Sequence, residues 1–195
     1  MKLKEVSPAN AYRLFYPSNT ALLSVSFQGK DDVIPVISFC SLSFDPPLFG
    51  VAINRKHFSH GLVKKSGCFA LNLLDASKAK AIAAAGDVSS RVVKNKLSAV
   101  GLALQRARQI DGKAVKDAVA VVECKVIKVI QTGDYDFFVG RCEAAYAAED
   151  FDEYWRFEKY SPSLYIGSKG TKKRKHVFAL LNRKFSEVPY LSKSK

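Results

Sequence analysis

Residues 118–148 read AVAVVECKVIKVIQTGDYDFFVGRCEAAYAA. The first part is rich in β-branched residues, and its second half alternates apolar with polar, the period of a strand with one buried face. Gly133-Asp134 is a turn dipeptide, and residues 135–148 return in aromatic and small apolar side chains. Two long strands joined by a tight turn make an antiparallel hairpin.

Upstream of it, TALLSVSF at 20–27 and VIPVISF at 33–39 flank the turn QGKDD and read as a second hairpin. Pro35 places its stretch at a strand start or at a sheet edge. LFGVAI at 48–53 is too short for a helix and suits a buried strand, and CFALNLL at 68–74 is another. SLYIG at 163–167 reads as a last short strand. The helical signals are short. PANAYRLFYP at 8–17 ends at Pro17. Ser59 is placed to cap HGLVKKS, which Gly67 stops. Asp75 is placed to cap the alanine-rich stretch 76–86, and 89–101 carries a further short helix closed by Gly101. About seven strands in antiparallel hairpins with a few short helices predict a mainly β fold, a closed or nearly closed β-barrel. No internal repeat or low-complexity linker divides it, so residues 1–168 are read as one domain and 169–195 as a basic C-terminal extension.

The composition is that of a globular chain, with 48% hydrophobic residues. No apolar stretch reaches the 18 or so residues of a membrane span, and MKLKEVSPANAYRLF lacks a signal-peptide core, so the expected location is the cytoplasm. Cysteines at 40, 68, 124 and 142 sit in apolar contexts without a C-x-x-C, which reads as buried free thiols and no metal site. The net charge of +13 raises nucleic acid as a partner. The dense cluster KGTKKRKH at 169–176 is near the C-terminus, however, and aromatics do not interleave with the cations as in RNA-recognition folds. The charge suits small anionic ligands equally well.

The stretch SFCSLSFDPPLFGVAINRKHFSHGLVKKSG at 38–67 holds the candidate site. By strand period, Ser41 and Ser43 share a face with Phe39, which leaves Cys40, Leu42 and Phe44 as the core face. After the next strand, Arg55, Lys56 and His57 crowd the start of a helix containing Ser59. A helix N-terminus offers unpaired N–H groups and a positive dipole end. Singly, each serine reads as a turn-shaper or a cap; together with three basic side chains they point to a phosphate.

PSNTALLSV, then ISFCSLSFDPPLFGVAI, then NRKHFSHGLVKKSGCFALNLL resemble the flavin reductase-like family, the FMN-binding split barrel of flavoredoxin and of the small reductase components of two-component monooxygenases. The resemblance extends through SRVVKNKLSAVGLAL, GDYDFFVGRCEAA and SPSLYIG, in order, from about residue 11 to 167. It implies a six-stranded Greek-key split β-barrel, a homodimer, and FMN near the subunit interface. By position, Ser41 and Ser43, with the backbone from Phe39 through Cys40 to Leu42, would hold the phosphate side or the ribityl chain. Ser59 would meet the phosphate, with Arg55 or Lys56 supplying charge where the family often has arginine in place of His57. Asn19 and Thr20 would approach the isoalloxazine ring. Lys96 aligns with a family lysine, though Asn95 and Leu97 depart from its neighbours. Tyr135 stands where the family has a histidine linked to nicotinamide handling, and tyrosine does not titrate near neutrality. The implied function is a flavin reductase-type oxidoreductase passing electrons from NADH or NADPH through FMN. The alternatives are an FMN electron carrier without enzymatic activity, or a flavin-free barrel that uses its basic surface for nucleic acid.

Overall fold

The computed structural model describes residues 3–169 and 175–181. The first strands are β1 (Ser18–Asn19), β2 (Ala21–Phe27), β3 (Lys30–Val36), β4 (Phe39–Phe44) and β5 (Pro47–Asn54). Helix α1 (Phe58–Ser66) leads to β6 (Cys68–Leu73), followed by α2 (Ala79–Asp87) and α3 (Lys96–Ala99). A small hairpin, β7 (Leu104–Arg106) and β8 (Lys113–Val115), precedes β9 (Ala120–Thr132) and β10 (Tyr135–Ala147). Strands β11 (Leu164–Lys169) and β12 (Lys175–Ala179) close the described chain.

One antiparallel sheet runs in the order β3-β2-β6-β9-β10-β5-β4. It rolls until the end of β3 approaches β5, where Ala52 N–H donates to the Ser38 carbonyl at 2.9 Å. The fold is thus mainly β, with the hairpins at 20–39 and 118–148 where the sequence placed them. The β9–β10 pairing extends from Thr132↔Tyr135 to Ala120↔Ala147, with register shifts at Val139/Gly140 and Cys142/Ala144. Strand β1 pairs with β11, and β11 with β12, in a separate three-stranded sheet.

Two apolar layers explain why β2 reads ALLSV without alternation. Ala21, Leu23 and Val25 join Ile34, Val51, Phe69 and Phe138 in one cluster, while Leu22 joins Val33, Leu74 and Ile82 of α2 in the other. Both faces of β2 are covered, so both are apolar. Gly140 of β10 sits against this packing. A Cβ there would lie 2.7 Å from Cys124 Cβ and 2.9 Å from Phe69 Cζ. Gly140→Ala is expected to lower stability by about 1–3 kcal/mol through overpacking, read as a lower urea midpoint at unchanged slope; an unshifted midpoint would show that β9 yields at no cost.

Four expectations need correction. Cys40, Leu42 and Phe44 are not a core face: Cys40 is exposed, and Leu42 and Phe44 are 45% and 93% accessible. Phe39 packs on the core instead. Strand β4 is the last of its sheet, and a bulge between Ser41 and Ser43 breaks the alternation. Of the four cysteines expected to be buried, Cys68 and Cys124 are, Cys124 being pushed up to about 12 by burial, whereas Cys142 is half-buried and Cys40 exposed. The helix expected over 89–101 shrinks to α3, because Ser90 and Lys96 both turn to the buried Asp32. Ser59 does not cap α1: the N-cap is His57, and Ser59 lies in the first turn, fully buried. Hairpin β7–β8 had no reading in the sequence, and strand β12 lies in the stretch read as a basic C-terminal extension. Of the basic cluster at 169–176, residues 170–174 lie outside the described residues.

Candidate functional site

The basic turn before α1 is held by the tip of the β9–β10 hairpin. Asn54 Nδ2 donates to Asp134 Oδ2 at 2.7 Å, and the Arg55 N–H donates to the Asp134 carbonyl at 3.2 Å. The Arg55 guanidinium donates to Asp136 Oδ1 at 3.2 Å and to the Gly133 carbonyl. The other Asp136 oxygen faces His60 Nε2 at 2.8 Å. The hydrogen bond from His60 holds the Asp136 carboxyl below its usual range, burial opposes this, and Arg55 adds to it. Arg55 is therefore committed to the fold and braces the turn.

Lys56 and His57 project from the braced turn. The Lys56 ammonium has no ion pair among the described residues. Burial and the nearby Lys96 ammonium hold His57 below its ordinary value, with Asp32 partly offsetting them. The ring is thus a neutral hydrogen-bonding group at neutral pH. Lys96 itself is 4% exposed, donating to Asp32 Oδ1 at 3.0 Å and to the Val33 carbonyl at 2.6 Å. It reaches the turn through its field.

His57 lines a small cavity with Ser38, Asn54 and Tyr135, floored by Pro35 and Ile37. The same two floor residues line a second cavity of about 180 Å³ with Thr20, Ile82, Tyr165 and His176. A groove therefore crosses the end of β3 from the basic turn to Thr20. Thr20 is 3% exposed, and its hydroxyl has no hydrogen-bond partner among the described residues. The Ser59 hydroxyl is likewise buried and unpartnered, in the first turn of α1. Buried hydroxyls without partners are costly unless a ligand completes them. Thr20 lines the groove and the basic turn stands at its other end, so its residues fit a ligand with a polar ring at one end and an anion at the other.

The structure thus brings Thr20, His57 and, through its field, Lys96 to one groove, with Lys56 beside His57 on the basic turn and Ser59 buried in the first turn of α1. Asn19 is exposed on β1, opposite Leu164 of β11. Phe39, Cys40, Ser41, Leu42 and Ser43 lie on edge strand β4 and line neither cavity. Tyr165 and His176 were missed; they come from the last strands, where no motif marks them. No helix among the described residues is long and apolar enough to cross a membrane.

The model of the flavin reductase like domain matches residues 12–169. A protein of Aeropyrum pernix is 33% identical over 156 residues, 80% of this chain and 59% of its own, so the chain spans about three fifths of that relative's length. Among solved structures, the FMN-binding protein of Thermus thermophilus with bound p-hydroxybenzaldehyde superposes with a TM-score of 0.78 at 24% identity, covering 96% of this chain and 99% of that one. Flavoredoxin from Methanosarcina acetivorans also gives 0.78, at 20% identity and with 96% and 95% covered. These likenesses show the split-barrel fold, and with the domain match they establish that the chain belongs to the flavin reductase like family.

Proposed function

We propose that the protein is an FMN-binding flavoprotein of reductase type that takes electrons from NADH or NADPH. The observation that carries this reading is the groove itself, with an orphan hydroxyl at Thr20 and a braced basic turn at the other end. FMN has a planar ring system at one end and a dianionic phosphate at the other. That the Thermus neighbour is an FMN-binding protein supports this cofactor.

Bound there, the flavin supplies hydride and electron transfer, and the protein binds and orients it. The first N–H groups of α1 and the Lys56 ammonium take the phosphate, and the Ser59 hydroxyl donates to it. His57 hydrogen-bonds the same group. Arg55 keeps the turn rigid, so little ordering is needed on binding. Thr20 serves the ring; Asn19 on β1 and Ser41, Ser43 and the Phe39–Leu42 backbone on β4 line neither cavity of the groove.

Retention of flavin colour through gel filtration, followed by anaerobic addition of NADH or NADPH, tests the reading. Bleaching supports a reductase; retention without bleaching leaves a carrier fed by another donor; no retained flavin overturns the proposal. Lys56→Gln is expected to weaken FMN about tenfold, one charge-assisted hydrogen bond, while leaving riboflavin, which has no phosphate, unaffected in a fluorescence titration. Equal loss for both ligands would remove Lys56 from the phosphate site.

A second copy of the chain completes the proposal. Leu42 and Phe44 of β4 and Ile127, Val129 and Ile130 of β9 are exposed on the four neighbouring strands β4-β5-β10-β9. Exposed apolar side chains at a sheet edge suit an interface, and the family resemblance points to a homodimer. Phe44→Asp is expected to turn a dimer into a monomer in sedimentation equilibrium; a monomeric parent would end this part of the proposal.

A further inference from the structure

The small hairpin β7–β8 lies over the face of β2 that bears Ser24 and Ser26, and the Ser24 hydroxyl donates to the Lys113 carbonyl at 2.7 Å. Between this hairpin and the β2–β3 turn is an open cleft of about 600 Å³, bordered by the last residue of α1 and so at the opposite end of that helix from the basic turn. Small-molecule sites occupy about 300–1,000 Å³. Two features of the walls are not required by the fold. Arg106 and Lys113 stand directly opposite each other on β7 and β8, a position in which like charges repel. The Lys113 ammonium is relieved by donating to Asp31 Oδ2 at 2.6 Å, whereas the Arg106 guanidinium has no ion pair among the described residues. Ser26 and Asp31 are likewise opposite, on β2 and β3. The Ser26 hydroxyl and the second Asp31 oxygen, Oδ1, are buried with no hydrogen-bond partner among the described residues, a costly state for both.

A carboxylate oxygen only accepts and a guanidinium only donates, so the cleft lacks a donor at Asp31 and an acceptor at Arg106. Its charged walls cancel: Asp31 and Asp111 stand against Arg106 and Lys113, on a chain whose net charge is +13. A simple anion would meet two carboxylates there, and a simple cation two basic groups. The complement is a small molecule with both poles and no net charge. We infer that the cleft binds a free α-amino acid. Its ammonium donates to Asp31 Oδ1 and to the Ser26 oxygen, its carboxylate takes the forked Arg106 guanidinium, and its side chain lies toward Phe27, which also lines the cleft. The site is separate from the groove and does not depend on the flavin reading.

The test is isothermal titration of the full chain with each standard L-amino acid in turn, then with two analogues of the tightest: its 2-hydroxy acid, which lacks the ammonium, and its amide, which lacks the carboxylate. At least one amino acid is expected to bind with a Kd below about 1 mM, and each analogue to bind at least about tenfold more weakly. Arg106→Gln is expected to weaken the amino acid about tenfold to a hundredfold, the loss of a charge-assisted pair. Ser26→Ala is expected to weaken it about tenfold while leaving the thermal midpoint unchanged or higher, because an unsatisfied buried hydroxyl is removed. A lower midpoint with unchanged binding would make Ser26 merely structural and overturn the assignment. So would no binding of any amino acid at about 10 mM, or inorganic phosphate binding as tightly as the best of them. Both variants are expected to bind FMN as the parent does; joint loss of FMN and amino acid would refute a separate site. A parent that binds the amino acid but no FMN leaves this inference standing and ends the flavin reading.

Discussion

Lys96→Met is expected to cost about 3–5 kcal/mol of stability, the toll of breaking a buried ion pair from one side. Lys96 and Asp32 are 4% and 1% exposed, and the ammonium also satisfies the Val33 carbonyl at 2.6 Å. Methionine matches the aliphatic stem but leaves the Asp32 carboxylate, among the described residues, with the Ser90 hydroxyl at 2.6 Å as its one side-chain donor. The double change Asp32→Leu with Lys96→Met is expected to recover most of the loss, since replacing both members by apolar groups removes the uncompensated charge. Urea unfolding of the two single variants and the double supplies the cycle. A single-variant cost below about 1 kcal/mol, the range of a solvated surface pair, would show that water reaches Asp32. The pair also matters to the site, because the Lys96 field is part of what keeps His57 neutral.

Glu123→Ala is expected to be comparably damaging. Its carboxylate is fully buried in β9 and accepts from the backbone N–H of Arg108, Gln109 and Ile110 at 2.7, 2.7 and 3.3 Å, and from the Tyr146 hydroxyl at 2.9 Å. Removing it strands three backbone donors at about 1–3 kcal/mol each when buried, a total of roughly 3–5 kcal/mol after partial relaxation. Burial pushes the Glu123 carboxyl up, but these donors outweigh it and leave the group below its ordinary 4.5. Its contribution is therefore complete above that value and is lost as pH falls through the lower folded one. Stability measured from pH 7 downward should fall more gently in Glu123→Gln than in the parent. An identical acid limb in the two would mean that Glu123 does not titrate with unfolding.

What was legible in the sequence was what neighbours decide. The β9–β10 hairpin announced itself by alternation and a Gly-Asp turn. The end of α1 was written in Gly67, which adopts φ +68, and the cap before α2 in Asp75, which accepts from Ser77 N–H at 2.9 Å. What was illegible depends on strands meeting. Arg55 read as a phosphate ligand until pairing of β10 with β5 delivered Asp136 to it, 81 residues along the chain. The exposure of β4 follows from its place at the sheet edge, which no local pattern encodes. His176 meets Asp87 across 89 residues, and a histidine among lysines gave no hint of a carboxylate partner. The groove was half legible for the same reason: Thr20 was found by resemblance and His57 by the crowding of cations before α1, while the residues that shape its far end come from strands added last.

The brace between the basic turn and the hairpin tip sets where the molecule breathes. Residues 54–57 cannot swing outward while Asn54 grips Asp134 and Arg55 grips Asp136, so opening the turn requires fraying the tip of the longest hairpin with it. The two segments then form one cooperative opening unit, and amide exchange at Arg55 and Tyr135 should slow by the same factor when an anion seats on α1. Ligand escape is in that case timed by the unzipping of two strands, and a substitution at Gly133 or Asp134, remote from any bound atom, would change residence time before it changed affinity.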